Sequence, residues 1–337
     1  MPGYNLKSGT IAPIPPSEDD LWAALSVVFS TKSVNDTSYK FGFLKSLLDN
    51  LYNVDADLQL SFDQLFGEFA EVYWNLVLKY GLRQKAPTVN GRVSRLEREL
   101  RDARDRYAIA EGVPFESLTE EMRADVGRRV KQACKHNVVG ALFEDTRRLL
   151  YSFDLKEEWL QLSRPAYDFL CRHKVAVEKL NYYEWARFLE KVNDDSAVTH
   201  LLTKLDESTL RGNLSVFRRI LWEEFESRRC FYCGRELSPR NMHVDHFIPW
   251  SFIKDDRLWN LVPACSRCNL TKSDRLPAVR YLDALEERND ALAACGGSGA
   301  ESGMRSYQRH LLRYAYEWAR ANGYADEWEP AMSEKEL

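Results

Sequence analysis

The chain has 337 residues, 45% of them hydrophobic and 12% aromatic, which is enough for two domains with filled cores, so no single metal site has to hold the whole protein together. A formal net charge of -4 and a pI near 6.0 exclude a polybasic protein that coats nucleic acid indiscriminately, although a local basic patch suffices for a nucleic-acid substrate. The first twenty residues lack a basic region followed by an apolar run, and nowhere do about 18 apolar residues run together, which predicts a soluble, cytoplasmic protein with no membrane partner.

Residues 1–16 carry four prolines and two glycines with little periodicity and read as an irregular arm. A helix is predicted from Ser17, whose hydroxyl can cap the amides ahead of Glu18, Asp19 and Asp20. A second is predicted over 39–52. The third has the clearest pattern: Phe62, Leu65, Phe66, Phe69, Val72, Tyr73, Leu76 and Tyr80 recur at helical spacing between Ser61 and Gly81 as start and stop signals. From 93 to 107 a narrower seam of Val93, Leu96, Leu100, Ala103 and Tyr107 alternates spacings of three and four among Arg and Glu/Asp, with Arg95–Glu99 and Glu97–Arg101 placed to pair. Either a partner helix in the same chain or a second protein would cover it.

Further helices are predicted over 119–135, 156–163, 165–174, 180–192, 195–204 and 214–227, while 138–153 is ambiguous between helix and strand. His136, His173 and His200 lie singly, without motif context, and read as structural or surface residues. After the last cysteine pair, 277–288 looks helical, 293–303 looks like a loop, Tyr307, Leu311, Tyr314 and Trp318 mark a closing helix, and the acidic end reads as a surface tail.

Seven cysteines is an odd number, and four of them form two Cys-x-x-Cys pairs, Cys230/Cys233 and Cys265/Cys268. Two such pairs complete a tetrahedral four-thiolate zinc site with no open position, which makes its work structural. Cys134, Cys171 and Cys295 read as reduced thiols. Between the pairs, 242–248 has strand character and ends at Pro249, 260–264 can form a second strand, and the chain turns helical from Ser266, placing Asn269 and Lys272 three apart on one face.

Asp245-His246, Asn260 and Asn269, flanked by the two cysteine pairs, resemble the HNH endonuclease family, in its four-cysteine zinc-binding branch, over 230–275. The resemblance implies a ββα-metal fold, with Asp245 and Asn269 as ligands of a catalytic metal, His246 as the base and Asn260 bracing the loop. Many members have histidine where this chain has Asn269, which still offers an oxygen and favours hard ions. The chemistry agrees: phosphodiester cleavage needs an activated water and stabilisation of the developing charge, oxygen ligands suit Mg2+ or Mn2+, and an imidazole titrates close to neutral pH. Lys272, His243 and Arg267 are candidate substrate contacts. Between 226 and 275, nine Lys/Arg face six Asp/Glu, a local +3 on an acidic chain.

The expected protein is thus mainly α: a helical targeting or interaction domain at 1–225, then a nuclease domain at 226–337, with its core at 228–276 and a helical extension over 277–337. The expected activity is metal-dependent hydrolysis of DNA, nicking one strand per site and leaving 5′ phosphate and 3′ hydroxyl ends, as the resemblance implies. A double-strand break then calls for a homodimer or successive cuts. A large helical domain ahead of such a module resembles bacterial restriction or phage-defence effectors, making other defence-system proteins candidate partners. Two alternatives stay open: a catalytically silent zinc-stabilised nucleic-acid-binding module, and a nuclease acting on RNA or structured junctions.

Overall fold

Within the expected irregular arm, Ser8–Gly9 form a short strand, β1. Gly9 permits this because a Cβ there would come within 2.7 Å of the Phe153 and Phe143 rings. Helix α1 (Glu18–Val28) starts at Ser17 with a reciprocal capping box: Ser17 Oγ accepts from the Asp20 amide at 3.2 Å, and the Asp20 carboxylate accepts from the Ser17 amide at 3.0 Å. Helix α2 (Tyr39–Asp49) is followed by strand β2 (Gln59–Ser61) and helix α3 (Phe62–Trp74), which Ser61 and Gln64 cap in the same way. The α3 stripe is core, as its spacing predicts: Phe62, Leu65, Phe66, Phe69, Val72, Tyr73 and Leu76 are all inaccessible to solvent. The helix runs on through a π-helical turn, Asn75–Lys79, and Gly81 takes a φ of 68° just beyond it.

The coordinates come from a computed structural model that describes residues 5–30, 32–33, 35–86, 93–209, 214–223, 228–295, 304 and 307–331. The chain divides into two units, 1–210 and 211–337. Parts of the expected 214–227 helix, the 293–303 loop and the acidic tail lie outside the described residues.

In the first unit, helix α4 (Arg95–Arg106) lays Leu96, Leu100 and Ala103 on helix α5 (Glu120–Asp145), so the middle of the narrow seam is covered within the chain, while Val93 at its start is 43% exposed. Glu97 does not reach out to Arg101 as expected. Its buried carboxylate accepts from the Gln84 amide at 2.5 Å. The ambiguous stretch resolves into the end of α5 and strand β3 (Tyr151–Asp154).

The helix expected over 156–163 is absent, because Trp159–Leu162 forms strand β4. Tyr151, Phe153, Leu160 and Leu162 alternate with more exposed neighbours, a period of two that buries one face only in a strand. Asp154 Oδ1 accepts from the Lys156 and Glu157 amides and tightens the hairpin turn. The four strands form an antiparallel sheet in the order β1-β3-β4-β2, so the helical domain is not purely helical. Helices α6 (Arg164–Arg172), α7 (Lys174–Val192) and α8 (Leu201–Asp206) complete it. Cys134 and Cys171 are buried there, and burial raises both thiols, Cys171 to about 12. Among the described residues no helix is long and apolar enough to cross a membrane.

The second unit begins with helix α9 (Ser215–Glu223), packed on the antiparallel pair β5 (Met242–His246) and β6 (Leu261–Cys265). A short helix α10 (Trp250–Ile253) lies in their connection, and helix α11 (Ser266–Lys272) follows β6 directly. Strand β7 (Leu276–Pro277), helix α12 (Val279–Cys295), helix α13 (Arg309–Ala321) and strand β8 (Glu327–Trp328) finish the unit. Strand β8 returns to pair in parallel with β7. Tyr316 donates to the Pro277 carbonyl at 2.6 Å, and the Trp328 ring meets Tyr232 edge-on at 5.1 Å. On the closing helix the inward face is Leu311, Leu312, Ala315, Tyr316 and Ala319, whereas Tyr314, one of the residues that mark this helix in the sequence, is 41% exposed.

Candidate active site and metal clamp

The first cysteine pair sits on a turn closed by Gly234, which takes a φ of 67° and donates its amide to the Cys230 carbonyl at 2.9 Å. The Phe231 amide bonds the Pro263 carbonyl of β6 at 2.9 Å, pinning that turn beside the second pair. Cys265 ends β6, and Cys268 lies in the first turn of α11. The four Sγ atoms lie within 4.8 Å of one another, the one group of this kind among the described residues. Cys233 and Cys265 are 3.8 Å apart at sulfur; a tetrahedral ion with Zn–S bonds of about 2.3 Å separates its sulfurs by about 3.8 Å. The set therefore fits a closed site for a metal such as zinc. Burial raises the Cys230 and Cys268 thiols, whereas at Cys265 burial is outweighed by the Cys268 amide and the neighbouring sulfurs, which lower it. Binding a metal here releases protons.

Strand β5 carries the carboxylate and the imidazole to the end of the same hairpin, with Asp245 opposite Val262 and His246 opposite Leu261. Both side chains are buried. Asp245 Oδ2 accepts from the Tyr232 hydroxyl at 2.6 Å and from Lys272 Nζ at 3.1 Å. Burial, and next the Asp245 carboxylate, hold the Tyr232 phenol far above its ordinary range, so it stays a donor. Tyr232 lies inside the first cysteine pair, so the clamp and the carboxylate are joined by one side chain.

Lys272, read from the sequence as a phosphate contact, is instead inaccessible to solvent. It donates to the His246 carbonyl at 2.7 Å and pairs with Asp245. Its position on α11 binds that helix to β5 and sets Asn269, half-buried one turn earlier, on the helix that packs against the Asp245 strand. His243 and Arg267 are exposed, as are Arg240 and Arg275.

Asn260 is fully buried and spends its side chain on one backbone unit: Oδ1 accepts from the Ile248 amide at 2.8 Å, and Nδ2 donates to the Ile248 carbonyl at 2.9 Å. The Phe247 amide adds a bond to the Asn260 carbonyl at 2.8 Å. Asn260→Ala removes both side-chain bonds at once and leaves two buried backbone groups without partners. Urea unfolding is expected to show a loss of about 2–4 kcal/mol. A loss below about 1 kcal/mol, the net worth of one ordinary bond, would mean that the loop is held by other contacts.

Three features escaped the sequence reading. Asp256 Oδ1 lies 2.7 Å from His246 Nε2. Tyr232 binds Asp245. On α12, the half-buried Arg288 guanidinium donates to the carbonyls of Leu261 and Leu258 at 2.6 and 3.2 Å, and Asn289 Nδ2 donates to Trp259 O at 2.8 Å, so the turn bearing Asn260 is gripped from behind. Burial pushes Arg288 down to about 9, which leaves it charged at neutral pH. The polar run Asp255-Asp256-Arg257 within an apolar stretch was a usable signal; Arg288 and Asn289 gave none, being distant in sequence from the turn they hold.

Two antiparallel strands and a helix around a four-cysteine cluster, with a buried Asp-His pair on the first strand, have the architecture of a ββα nuclease. Residues 230–278 match the family model described as HNH endonuclease. That stretch is therefore an HNH endonuclease module, which supports a phosphodiester hydrolase and implies a nucleic-acid substrate. No curated protein and no solved structure matches the chain.

Proposed function

We propose that the protein is a metal-dependent endonuclease that hydrolyses DNA phosphodiester bonds and nicks one strand per active site. What supports this is the joint presence of Asp245, His246, the Asn260 brace and Asn269 on one ββα unit that the family match covers. His246 takes the proton of the attacking water, and Asn260 holds the loop that follows it. Asp245 and Asn269 offer a carboxylate and an amide oxygen, a donor set that fits Mg2+ or Mn2+ with waters filling the remaining positions. Asp245 keeps acceptor capacity for this beside its bonds to Tyr232 and Lys272, since a carboxylate has about four lone-pair sites. When bound, such a cation polarises the phosphate and offsets charge on the leaving oxygen.

Lys272 neutralises and fixes Asp245 from within. Phosphate contacts fall to exposed residues, Arg267 and His243 among them, and the local +3 of this stretch suits a phosphate backbone. Targeting falls to the first unit, residues 1–210 rather than the 1–225 expected from the sequence, since helix α9 packs on β5 and β6, by contact with other proteins of a bacterial restriction or phage-defence system in the cytoplasm; this role rests on architecture. Two copies acting together, or successive nicks, give a double-strand break.

The test is incubation of the purified chain with supercoiled plasmid, linear duplex, single-stranded DNA and RNA, each with Mg2+, Mn2+ or EDTA. Conversion of supercoiled plasmid to open circle with metal, and none with EDTA, is expected. Faster cleavage of RNA than of any DNA would move the assignment to an RNA nuclease, and binding without cleavage would leave a silent module.

A further inference from the structure

We infer that Asp256 is a positioning residue that holds the His246 imidazole in one tautomer and one orientation, with the proton on Nε2 and the lone pair on Nδ1. The inference rests on His246 being the base of the proposed nuclease. The observation is the 2.7 Å contact between His246 Nε2 and Asp256 Oδ1, made by side chains only 6% and 14% exposed. An ionised carboxylate only accepts hydrogen bonds, and a neutral imidazole has one N–H, so a carboxylate at Nε2 places the proton there and leaves Nδ1 as the basic nitrogen.

The loop is built to keep Asp256 in place. Helix α10 ends at Lys254, which takes a left-handed φ of 60° and turns the chain back. Arg257 Nε bonds Asp255 at 2.5 Å, engaging the neighbouring acid, and the Arg257 carbonyl accepts from the Asn260 amide at 2.8 Å. Asn260 then fastens the far end of the loop to Ile248, two residues beyond His246. The C-terminal end of the segment carrying Asp256 is thereby tied to the backbone just beyond the strand that carries the imidazole.

In the step this serves, the water oxygen bonds to phosphorus while its proton passes to Nδ1. The P–O3′ bond breaks, and the 3′ oxygen leaves with the electron pair and takes a proton from solvent. The imidazolium formed keeps its Nε2–H on Asp256, where the opposite charge stabilises it. Asp256 touches neither water nor phosphate in this scheme and acts through His246.

The experiment compares the full-length wild type with Asp256→Asn and Asp256→Glu, using plasmid nicking over a range of plasmid concentrations and 15N spectra of histidine-labelled protein in alkaline buffer, where the ring is neutral. Asp256→Asn is nearly isosteric, and its amide can donate to Nε2 and reverse the tautomer. The expected result is a fall in kcat on the order of 10²-fold or more with KM little changed, partial recovery in Asp256→Glu, and a His246 signal that is Nε2-protonated in the wild type and shifts in Asp256→Asn. A loop-filling role alone would change stability and leave the tautomer and kcat in place, and that outcome overturns the inference. So does a wild-type His246 protonated on Nδ1. If the wild type cuts nothing, the nuclease assignment fails by itself, and the tautomer still decides whether Asp256 sets the ring.

Discussion

His246→Ala is expected to lower kcat for plasmid nicking by on the order of 10²–10⁴-fold, the contribution of a positioned general base. The substitution removes the imidazole without touching the pairing of residue 246 with Leu261, which is made by the backbone, and without altering Asn260, Asp245 or the cysteine cluster. The hydrogen bond to Asp256 disappears, but that carboxylate retains 14% exposure, so water can take its place and the stability cost should stay near about 1–2 kcal/mol. Circular dichroism and thermal melting close to wild type would then accompany the lost activity. Removal of an interaction used only in the transition state lowers kcat and kcat/KM together. An unchanged kcat in a folded His246→Ala protein would take the base away from His246.

The second large effect concerns the clamp. Cys230→Ser is expected to abolish the stoichiometric metal, about one zinc per chain in the wild type, and to destabilise the second unit by more than about 4 kcal/mol, because metal binding to such a site is itself folding free energy. The damage should reach the chemistry as well. Tyr232 sits inside the first cysteine pair, donates to Asp245 at 2.6 Å and packs on Trp328 of the closing strand, so a loosened turn frees the carboxylate's partner and the end of the core together. Metal content, urea unfolding and nicking measured on one preparation check all three effects. Full stability without bound metal would contradict the structural role of the cluster.

How far the sequence reveals this protein depends on the range of the interactions involved. The cysteine pairs, the Asp-His doublet and Asn260 are legible because each is a short-range pattern: a knuckle, a strand end, a loop brace. Helix starts at Ser17 and Ser61 are legible for the same reason, since a cap is settled within four residues. The misreadings fall where a distant partner decides. Residues 159–162 pair with β2 and β3, and nothing within that stretch alone announces those partners. Glu97 turns inward because Gln84 offers it a buried amide. Lys272 looks like a surface cation in the sequence, yet Asp245 and the His246 carbonyl, more than twenty residues earlier, draw it into the core. The clamp and the reactive pair read as separate sites until Tyr232 is seen to touch both.

The most direct measurement of the central claim is the conversion of supercoiled plasmid to open circle by the full chain, followed over time with Mg2+ or Mn2+ and in EDTA, with His246→Ala alongside. The account predicts metal-dependent accumulation of open circles bearing 5′ phosphate and 3′ hydroxyl ends, absent in EDTA and nearly absent in the variant. Equal nicking by wild type and His246→Ala, or nicking that persists in EDTA, would contradict it.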